Sequence, residues 1–184
     1  RAVGTRFETP AATAGASTAR CLILVSPDAQ RTMCTYLGAS VGLDPSDLNL
    51  EMVAQAKVLY LEGYLWDSDE AKAAFLAAAK VAKENGAEVA LSLSDAFCVE
   101  RHRDSFLELV DGHVDILFAN EMEITSLYKA NSFEEAVQAV RGQCRIAALT
   151  RSEQGSVVLS GDQSITIQPF NLGALVDTTG AGDL

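Results

Sequence analysis

Short apolar runs alternate with helix-type stretches between residues 57 and 150, and this alternation most constrains the fold. The apolar runs lie at residues 57–61, 88–93, 114–119 and 145–150. Stretches with helical periodicity or capping residues separate them. Strands separated by crossover helices favour parallel pairing, because a parallel connection must return to the same end of the sheet. The sequence therefore predicts an α/β fold, a doubly wound, mainly parallel sheet flanked by helices.

Three helices are predicted from capping and periodicity. Asp67 and Glu70 can cap the first, whose apolar face continues to Ala82 before Asn85-Gly86 ends it. A second is expected from Arg101 to Val110. A third starts at a capping box formed by Ser132 and Glu135 and ends near Gly142.

β-prone segments lie on both sides of this α/β stretch. Residues 20–26 and 31–36 flank a short turn and predict a hairpin, preceded by a small-residue loop at 9–17. The run 57–61 is expected to be a buried strand. Further strands are predicted at 156–160, 164–168 and 174–176. The whole chain is expected to form one domain with the hairpin as an appendage.

The charge balance excludes several classes of partner. Fourteen basic and 25 acidic residues give a formal net charge of −11, which disfavours general attraction to nucleic acid or anionic lipid. No apolar run of about 18 residues and no export signal is present, so the expectation is a cytoplasmic protein without a membrane span.

The cysteines and histidines do not form a recognisable sequence motif. The four cysteines are scattered without a C-x-x-C pair, at Cys21, Cys34, Cys98 and Cys144. They are expected to be reduced, partly buried thiols rather than a metal or redox site. His102 and His113 are expected at surface positions rather than in catalysis.

A glycine-containing heptad, Asp177-Thr178-Thr179-Gly180-Ala181-Gly182-Asp183, follows the last predicted strand. Its glycines would let the backbone approach a ligand and present N–H donors to an anion, while Asp183 could accept a hydroxyl proton. The alternative is an ordinary glycine turn with a capping aspartate. The segment is neither a Walker-A loop nor a G-x-G-x-x-G fingerprint.

Two other predicted strand ends are polar. Asn120 and Glu123 follow the strand at 114–119, where acidic residues could simply complement a helix dipole. Thr150 and Gly155 follow the strand at 145–150. Ligands of doubly wound sheets sit at such carboxyl ends, so both segments are candidates for a site.

Taken together, these motifs resemble the ribokinase-like (PfkB-type) carbohydrate kinase family, whose signature D-T-x-G-A-G-D is matched at every specified position. The resemblance implies that Asp183 is the catalytic base. It implies an anion hole for the transferred phosphate formed by Gly180, Ala181 and Gly182. It also suggests Asp177 and Thr179 as ligands of a monovalent cation such as K⁺.

The same resemblance assigns the other polar segments. Asn120 and Glu123 match the family's N-x-x-E motif, which implies ordering of Mg²⁺ and its waters. Thr150 and Gly155 match its T-x-G-x-x-G segment, which lines the nucleotide pocket, although Ser152 replaces the first glycine. ATP and Mg²⁺ are therefore the expected cofactors.

The resemblance also bears on the substrate and on the extent of the domain. Residues 91–97 and 118–123 look like the adenosine-kinase branch, which favours a nucleoside or a related sugar as acceptor. Residues 5–40, including the G-A-N-like Gly38-Ala39-Ser40, are expected to contribute to the substrate end and lid, and a homodimer is left open.

Residues 1–184 are interpreted as a single kinase domain that is incomplete at both ends. Expressed alone, this stretch is expected neither to catalyse nor to fold stably. Two other classes remain as alternatives: a non-catalytic nucleotide- or sugar-binding protein, and a dinucleotide-dependent oxidoreductase, which the missing fingerprint disfavours.

Overall fold

A computed structural model describes residues 4–7, 9–170 and 173 of the chain. The chain divides into two compact units, and one of them is Asp44–Phe170. The described residues before Asp44 belong to the other unit. The predicted strand at 174–176 lies outside the described residues.

The unit that precedes Asp44 contains the predicted hairpin. Strands β1 (Arg20–Val25) and β2 (Arg31–Tyr36) pair antiparallel, with Arg20 opposite Tyr36. Residues 9–17 have no helix or strand, as predicted. All residues of both strands are exposed, so this unit offers little apolar burial within the hairpin itself.

Asp44–Phe170 is built on a six-stranded sheet whose strands follow one another in chain order. The strands are β3 (Val58–Glu62), β4 (Glu88–Ser92), β5 (Ile116–Asn120), β6 (Ile146–Thr150), β7 (Ser156–Ser160) and β8 (Gln163–Ile167). The first four strands are parallel to one another, β7 pairs antiparallel with β6, and β8 pairs antiparallel with β7. The predicted α/β fold with a mainly parallel sheet is confirmed.

Six α-helices accompany the sheet: α1 (Leu50–Ala54), α2 (Asp69–Glu84), α3 (Ala96–Arg101), α4 (Arg103–His113), α5 (Glu121–Tyr128) and α6 (Phe133–Val140). One-turn 3₁₀ helices at Gly63–Asp67 and Ser152–Gln154 follow β3 and β6. Strands β3, β4, β5 and β6 lie side by side in chain order, so each connection between them crosses the sheet in the same direction. Right-handed crossovers therefore place their connecting helices over the same face.

The two faces of the sheet are buried to different extents. Leu61, Leu91, Leu117 and Leu149 occupy the helix-covered face and are at most 5% exposed. The opposite face includes apolar side chains that are between 40% and 56% exposed within the described part of the chain, namely Val58, Tyr60, Phe118, Ile165 and Ile167. The run at 57–61, predicted to be a buried strand, is thus an edge strand that buries one face.

The apolar face predicted for helix α2 is confirmed, but its predicted N-terminal cap is not. Its predicted apolar face is buried at Ala71, Ala74, Phe75, Ala78 and Ala82. The predicted cap is wrong, because the Ser68 hydroxyl accepts from Ala71 N at 3.3 Å, whereas Asp67 pairs with Arg101.

The helix predicted from Arg101 to Val110 corresponds to α4, which begins two residues later and continues to His113, and the separate helix α3 that precedes it was not predicted. None of the helices in the described segments has the length and apolar composition needed to cross a membrane.

Candidate active site

The carboxyl ends of the parallel strands gather polar side chains at one edge of the sheet. The register places Glu62 beside Ser92, and Asn120 beside Thr150. Side chains that follow parallel strands in register lie at the same edge, where α/β proteins bind ligands. The sequence-predicted residues Asn120, Glu123 and Thr150 are therefore brought to one region of the molecule.

Asn120 and Glu123 form a reciprocal capping box where β5 passes into α5. The Asn120 side-chain oxygen accepts from Glu123 N at 2.9 Å. In return, Glu123 Oε2 accepts from Asn120 N at 2.9 Å, and Glu123 Oε1 accepts from Asn120 Nδ2 at 2.7 Å. Three hydrogen bonds hold both side chains in one orientation, which satisfies two backbone donors of the helix start.

The Glu123 carboxyl is buried, with only 6% of the residue exposed. Burial raises its pKa, the Asn120 N–H opposes that rise, and Asp95 and Glu62 add to it by repulsion. The repulsion from Asp95 and Glu62 indicates that these two carboxyl groups lie near Glu123 at this edge. A cation would be attracted to the buried Glu123 carboxylate, where negative charge is poorly solvated.

A strained serine connects the ends of β3 and β4. Ser94 has a φ of 66°, its hydroxyl donates to Glu62 Oε2 at 2.7 Å, and it accepts from Gly63 N at 3.1 Å. A Cβ at Gly63 would lie 2.4 Å from Leu93 O, so only glycine allows these loops to approach. Sequence reasoning missed Glu62, Ser94 and Asp95, because their proximity depends on strand register.

Thr150 and Gly155 close the turn between β6 and β7. Thr150 pairs with Ser156, and Arg151 N donates to Gly155 O at 2.8 Å. Ser152, which replaces the first glycine of the T-x-G-x-x-G pattern that this segment resembles, has a φ of 50°, the region that glycine favours. The serine therefore adopts a conformation that glycine would adopt without strain.

Gly155 has a structural reason to be glycine. Its φ is 83°, and an added Cβ would lie 2.1 Å from Ile167 O and 3.0 Å from Pro169 N. The close approach fastens the turn to the chain that follows β8. A nucleotide-binding role for Gly155 remains a proposal, because these contacts explain the glycine without any ligand.

Arg151 joins this turn to the starts of two helices. Its guanidinium bonds Glu121 Oε1 at 3.1 Å, lies 3.5 Å from Glu134 Oε1, and stacks 4.1 Å from the centre of the Phe133 ring. Among the described residues its Nε has no hydrogen-bond partner. Sequence reasoning missed Arg151, because residues from two helices supply its partners and no local pattern shows them.

The heptad predicted to transfer the phosphoryl group lies outside the described residues. This applies to Asp177, Thr179, Gly180, Ala181, Gly182 and Asp183. Their predicted roles as base, anion hole and cation ligands stay predictions.

A polar cavity of about 450 Å³ lies at the other edge of the sheet, beside the residues that precede β5 and β6. Its lining includes Lys83, Asp115 and Arg145. Strand direction argues against it as the ligand site of an α/β protein, because such sites form at the carboxyl ends. The Lys83–Asp115 pair, at 2.6 Å, gives these residues a structural role.

The donor set at Asn120 and Glu123 fits a hydrated magnesium ion. Both carboxylate oxygens of Glu123 already accept hydrogen bonds from Asn120, so direct coordination would disturb the capping box. Each oxygen has a further lone pair that can accept from a metal-bound water. Mg²⁺ prefers oxygen ligands and retains several waters, so contact through water preserves the observed geometry.

The fold is that of an α/β protein, and polar side chains gather at the carboxyl ends of its parallel strands, where proteins of this class bind ligands. The particular family follows from the sequence as a whole. The model of the pfkB family carbohydrate kinases matches residues 7–184, and the chain belongs to that family.

Solved structures and curated relatives agree with this membership. A probable sugar kinase from Rhizobium etli is 47% identical over 100% of this chain and 56% of its own, with a TM-score of 0.94. The adenosine kinase from Sinorhizobium meliloti is 46% identical over 99% of this chain and 56% of its own, with a TM-score of 0.94. A probable fructokinase-2 from Arabidopsis thaliana is 28% identical, covering 92% of this chain.

The chain spans about half the length of the relatives it matches, 53% in the case of the Arabidopsis protein. Those relatives include kinases named for different acceptors, fructose and adenosine among them. Family membership is therefore informative about the class of reaction but does not identify the acceptor substrate.

Proposed function

We propose that the intact protein transfers the γ-phosphoryl group of ATP to a hydroxyl of a sugar or nucleoside. The observation that supports this most is the buried Glu123 carboxylate, fixed by Asn120 at the carboxyl edge of the sheet of a carbohydrate-kinase-family protein. Phosphoryl transfer is catalysed mainly by positioning and charge stabilisation, which a rigid site of this kind supplies.

In the proposed reaction, residues of the heptad and residues at the described edge of the sheet have different roles. Asp183 accepts the proton of the attacking hydroxyl, which leaves the oxygen more nucleophilic. Backbone N–H groups of Gly180, Ala181 and Gly182 stabilise negative charge on the transferred group. We further propose that Thr150 and Gly155 lie beside the nucleotide and that Asp177 and Thr179 hold a monovalent cation such as K⁺.

Asn120 and Glu123 are proposed to hold Mg²⁺ through its waters. When bound, the ion would offset negative charge on the phosphate oxygens of ATP. The contribution of the chain is orientation: Asn120 fixes the Glu123 carboxylate, and the nearby acidic groups favour a cation at this edge. Three hydrogen bonds between Asn120 and Glu123 hold this carboxylate in one orientation, which supports a preorganised site.

The acceptor is proposed to be a nucleoside or a related sugar. The similarity to the Sinorhizobium meliloti adenosine kinase, at 46% identity, supports a nucleoside. The similarity to the Rhizobium etli probable sugar kinase, at 47%, supports a sugar about as strongly. Specificity depends on pocket contacts, so these two values do not discriminate between the acceptors.

The proposal is tested by measuring ADP formation by the intact protein with ATP and Mg²⁺. Adenosine and other nucleosides, ribose, fructose and related alcohols are supplied one at a time. We expect acceptor-dependent ADP formation with at least one of them, and a phosphorylated product of matching mass. Saturable binding of an acceptor and ATP without ADP formation would instead establish a non-catalytic binding protein.

The Glu123→Gln substitution is expected to raise the Mg²⁺ concentration for half-maximal rate by about tenfold or more, as outer-shell changes commonly do. Glutamine keeps the size of the side chain and one carbonyl acceptor for the capping box but removes the charge. The measurement is the initial rate against Mg²⁺ concentration at saturating ATP and acceptor.

Glu135→Gln is the matched control, because Glu135 occupies the same third position of α6 and its carboxylate bonds Asn131. This variant should keep the Mg²⁺ dependence of the parent. If Glu123→Gln also keeps it, Glu123 acts as a helix cap and is not part of a magnesium site.

A further inference from the structure

A cluster of three chemically different metal-ligand side chains lies beside the 3₁₀ turn that follows β3. Asp67 ends this turn, Cys98 lies on α3, and His102 follows α3 directly. One ligand atom from each side chain, namely a carboxylate oxygen, the Sγ and a ring nitrogen, lies within 4.8 Å of the other two. Cys98 and His102 are four positions apart, so they project from the same helical face toward Asp67.

Two distances within this cluster lie on either side of the ligand separations of a tetrahedral zinc site, and the third, between Cys98 Sγ and the His102 ring, is at most 4.8 Å. His102 Nε2 lies 2.8 Å from Asp67 Oδ1, and Cys98 Sγ lies 4.0 Å from the same oxygen. Zinc bonds of about 2.0–2.3 Å at tetrahedral angles separate neighbouring ligand atoms by roughly 3.3–3.6 Å. The first distance must open and the second contract by about half an ångström, which side-chain rotation can supply.

The turn that bears Asp67 is anchored. Trp66 is 2% exposed and packs between Phe75 and Phe106, with ring centroids 5.6 Å and 5.4 Å away. The Trp66 indole also donates a hydrogen bond to the Ser105 hydroxyl. The cluster therefore lies between a fixed turn and helix α3, a rigid setting of the kind that metal sites need.

We propose that Asp67, Cys98 and His102 bind one Zn²⁺ ion, with water as the fourth ligand. A thiolate, an imidazole and a carboxylate suit zinc, whereas Mg²⁺ prefers oxygen ligands alone. Cys98 is buried, while the Asp67 side chain is 53% exposed, so solvent reaches the cluster on the Asp67 side. On binding, the Cys98 thiol proton leaves to solvent and the sulfur lone pair forms the zinc bond.

Arg101 can stay hydrogen-bonded to Asp67 when a metal ion binds. Its Nη2 donates to Asp67 Oδ2 at 2.8 Å and to Oδ1 at 3.0 Å, and its Nε donates to Oδ1 at 3.2 Å. Metal binding would release the two bonds to Oδ1, while Oδ2 keeps its bond to Arg101. Such an outer partner would orient the carboxylate, as the hydrogen-bonded neighbours of metal ligands do.

The test uses Co²⁺ as a spectroscopic probe of the intact protein, with excess Mg²⁺ present to occupy oxygen-only sites. We expect one equivalent of Co²⁺ to produce tetrahedral visible bands and a thiolate-to-cobalt charge-transfer band, both removed by Zn²⁺. Zn²⁺ affinity, measured by competition with a chromophoric chelator, should fall at least tenfold in Cys98→Ser and His102→Gln. Cys98→Ser should also lose the charge-transfer band.

Two matched variants act as controls, because Cys144 is a second partly buried thiol and His113 a second histidine, neither belonging to this cluster. Cys144→Ser and His113→Gln should keep the bands and the affinity. If Cys98→Ser does not fold, His102→Gln and Asp67→Asn decide the question. Absence of the thiolate band in the parent, or equal Zn²⁺ affinity in parent and cluster variants, would overturn the proposal.

Discussion

Asp183→Asn in the intact protein is expected to lower kcat by about a hundredfold or more, the range that loss of a general base produces. Asparagine keeps the shape of the side chain, but its amide cannot accept a proton from the attacking hydroxyl. The affinity for ATP should change much less, because the substitution removes a group that acts on the acceptor. The measurement is steady-state kinetics with the best acceptor and varied ATP.

Asp162→Asn is the control for this experiment. Asp162 lies exposed in the turn between β7 and β8, outside the candidate site, and its substitution should leave kcat unchanged. An Asp183→Asn variant with the parent kcat would remove Asp183 from the mechanism. A large loss of ATP affinity with the parent kcat would instead assign Asp183 to nucleotide binding.

Local sequence patterns predicted the order of strands β1 to β8 and the positions of helices α2, α4 and α6. The alternating β-prone runs and the apolar face of α2 depend on periodicity, which neighbouring residues determine directly. The contact between Asn120 and Glu123 is also of a kind that local sequence determines, because a capping box joins residues three positions apart, whereas the proposed role of the pair in a site stays a prediction.

Predictions failed where a partner lies far away in sequence. Asp67 has a residue type suited to capping α2, but its carboxylate bonds Arg101 and His102 from a different helix. Ser68 caps α2 instead. The run at 57–61 is apolar enough for a strand buried on both faces, yet Val58 and Tyr60 lie on the face of the sheet that the helices do not cover and are exposed. Sheet order and side-chain pairing are tertiary properties that no local window contains.

The same limit applies to the candidate site. Glu62, Ser94 and Arg151 have no local pattern that marks them, and strand register or helix packing brings them to the site edge. In the turn at 151–155, a local sequence pattern was present, but the structure gives a different reason for one of its residues. Glycine at 155 was assigned from a ligand-binding motif, whereas the structure supplies a backbone reason for it.

Gly155→Ala is therefore expected to destabilise the intact protein by about 2–5 kcal/mol, which combines about 1–2 for an L-residue at positive φ with about 1–3 for overpacking. The backbone angles of Gly155 are φ 83° and ψ −134°, a combination essentially restricted to glycine. The added methyl group would also lie 2.1 Å from Ile167 O, a backbone atom that cannot rotate away. The measurement is the free energy of unfolding in denaturant.

Two further variants separate the cost of the backbone conformation from the cost of the steric contact. Gly161 also has a positive φ, 54°, but no atom lies within 4 Å of an added Cβ, so Gly161→Ala should cost only about 1–2 kcal/mol. Ser152→Gly should stabilise the protein by up to about 1 kcal/mol, because it relieves the strain of Ser152 at a φ of 50°. Equal losses in Gly155→Ala and Gly161→Ala would show that the contact with Ile167 adds nothing. The turn would then depend on backbone conformation alone, and the methyl group would be accommodated by movement of the chain after β8.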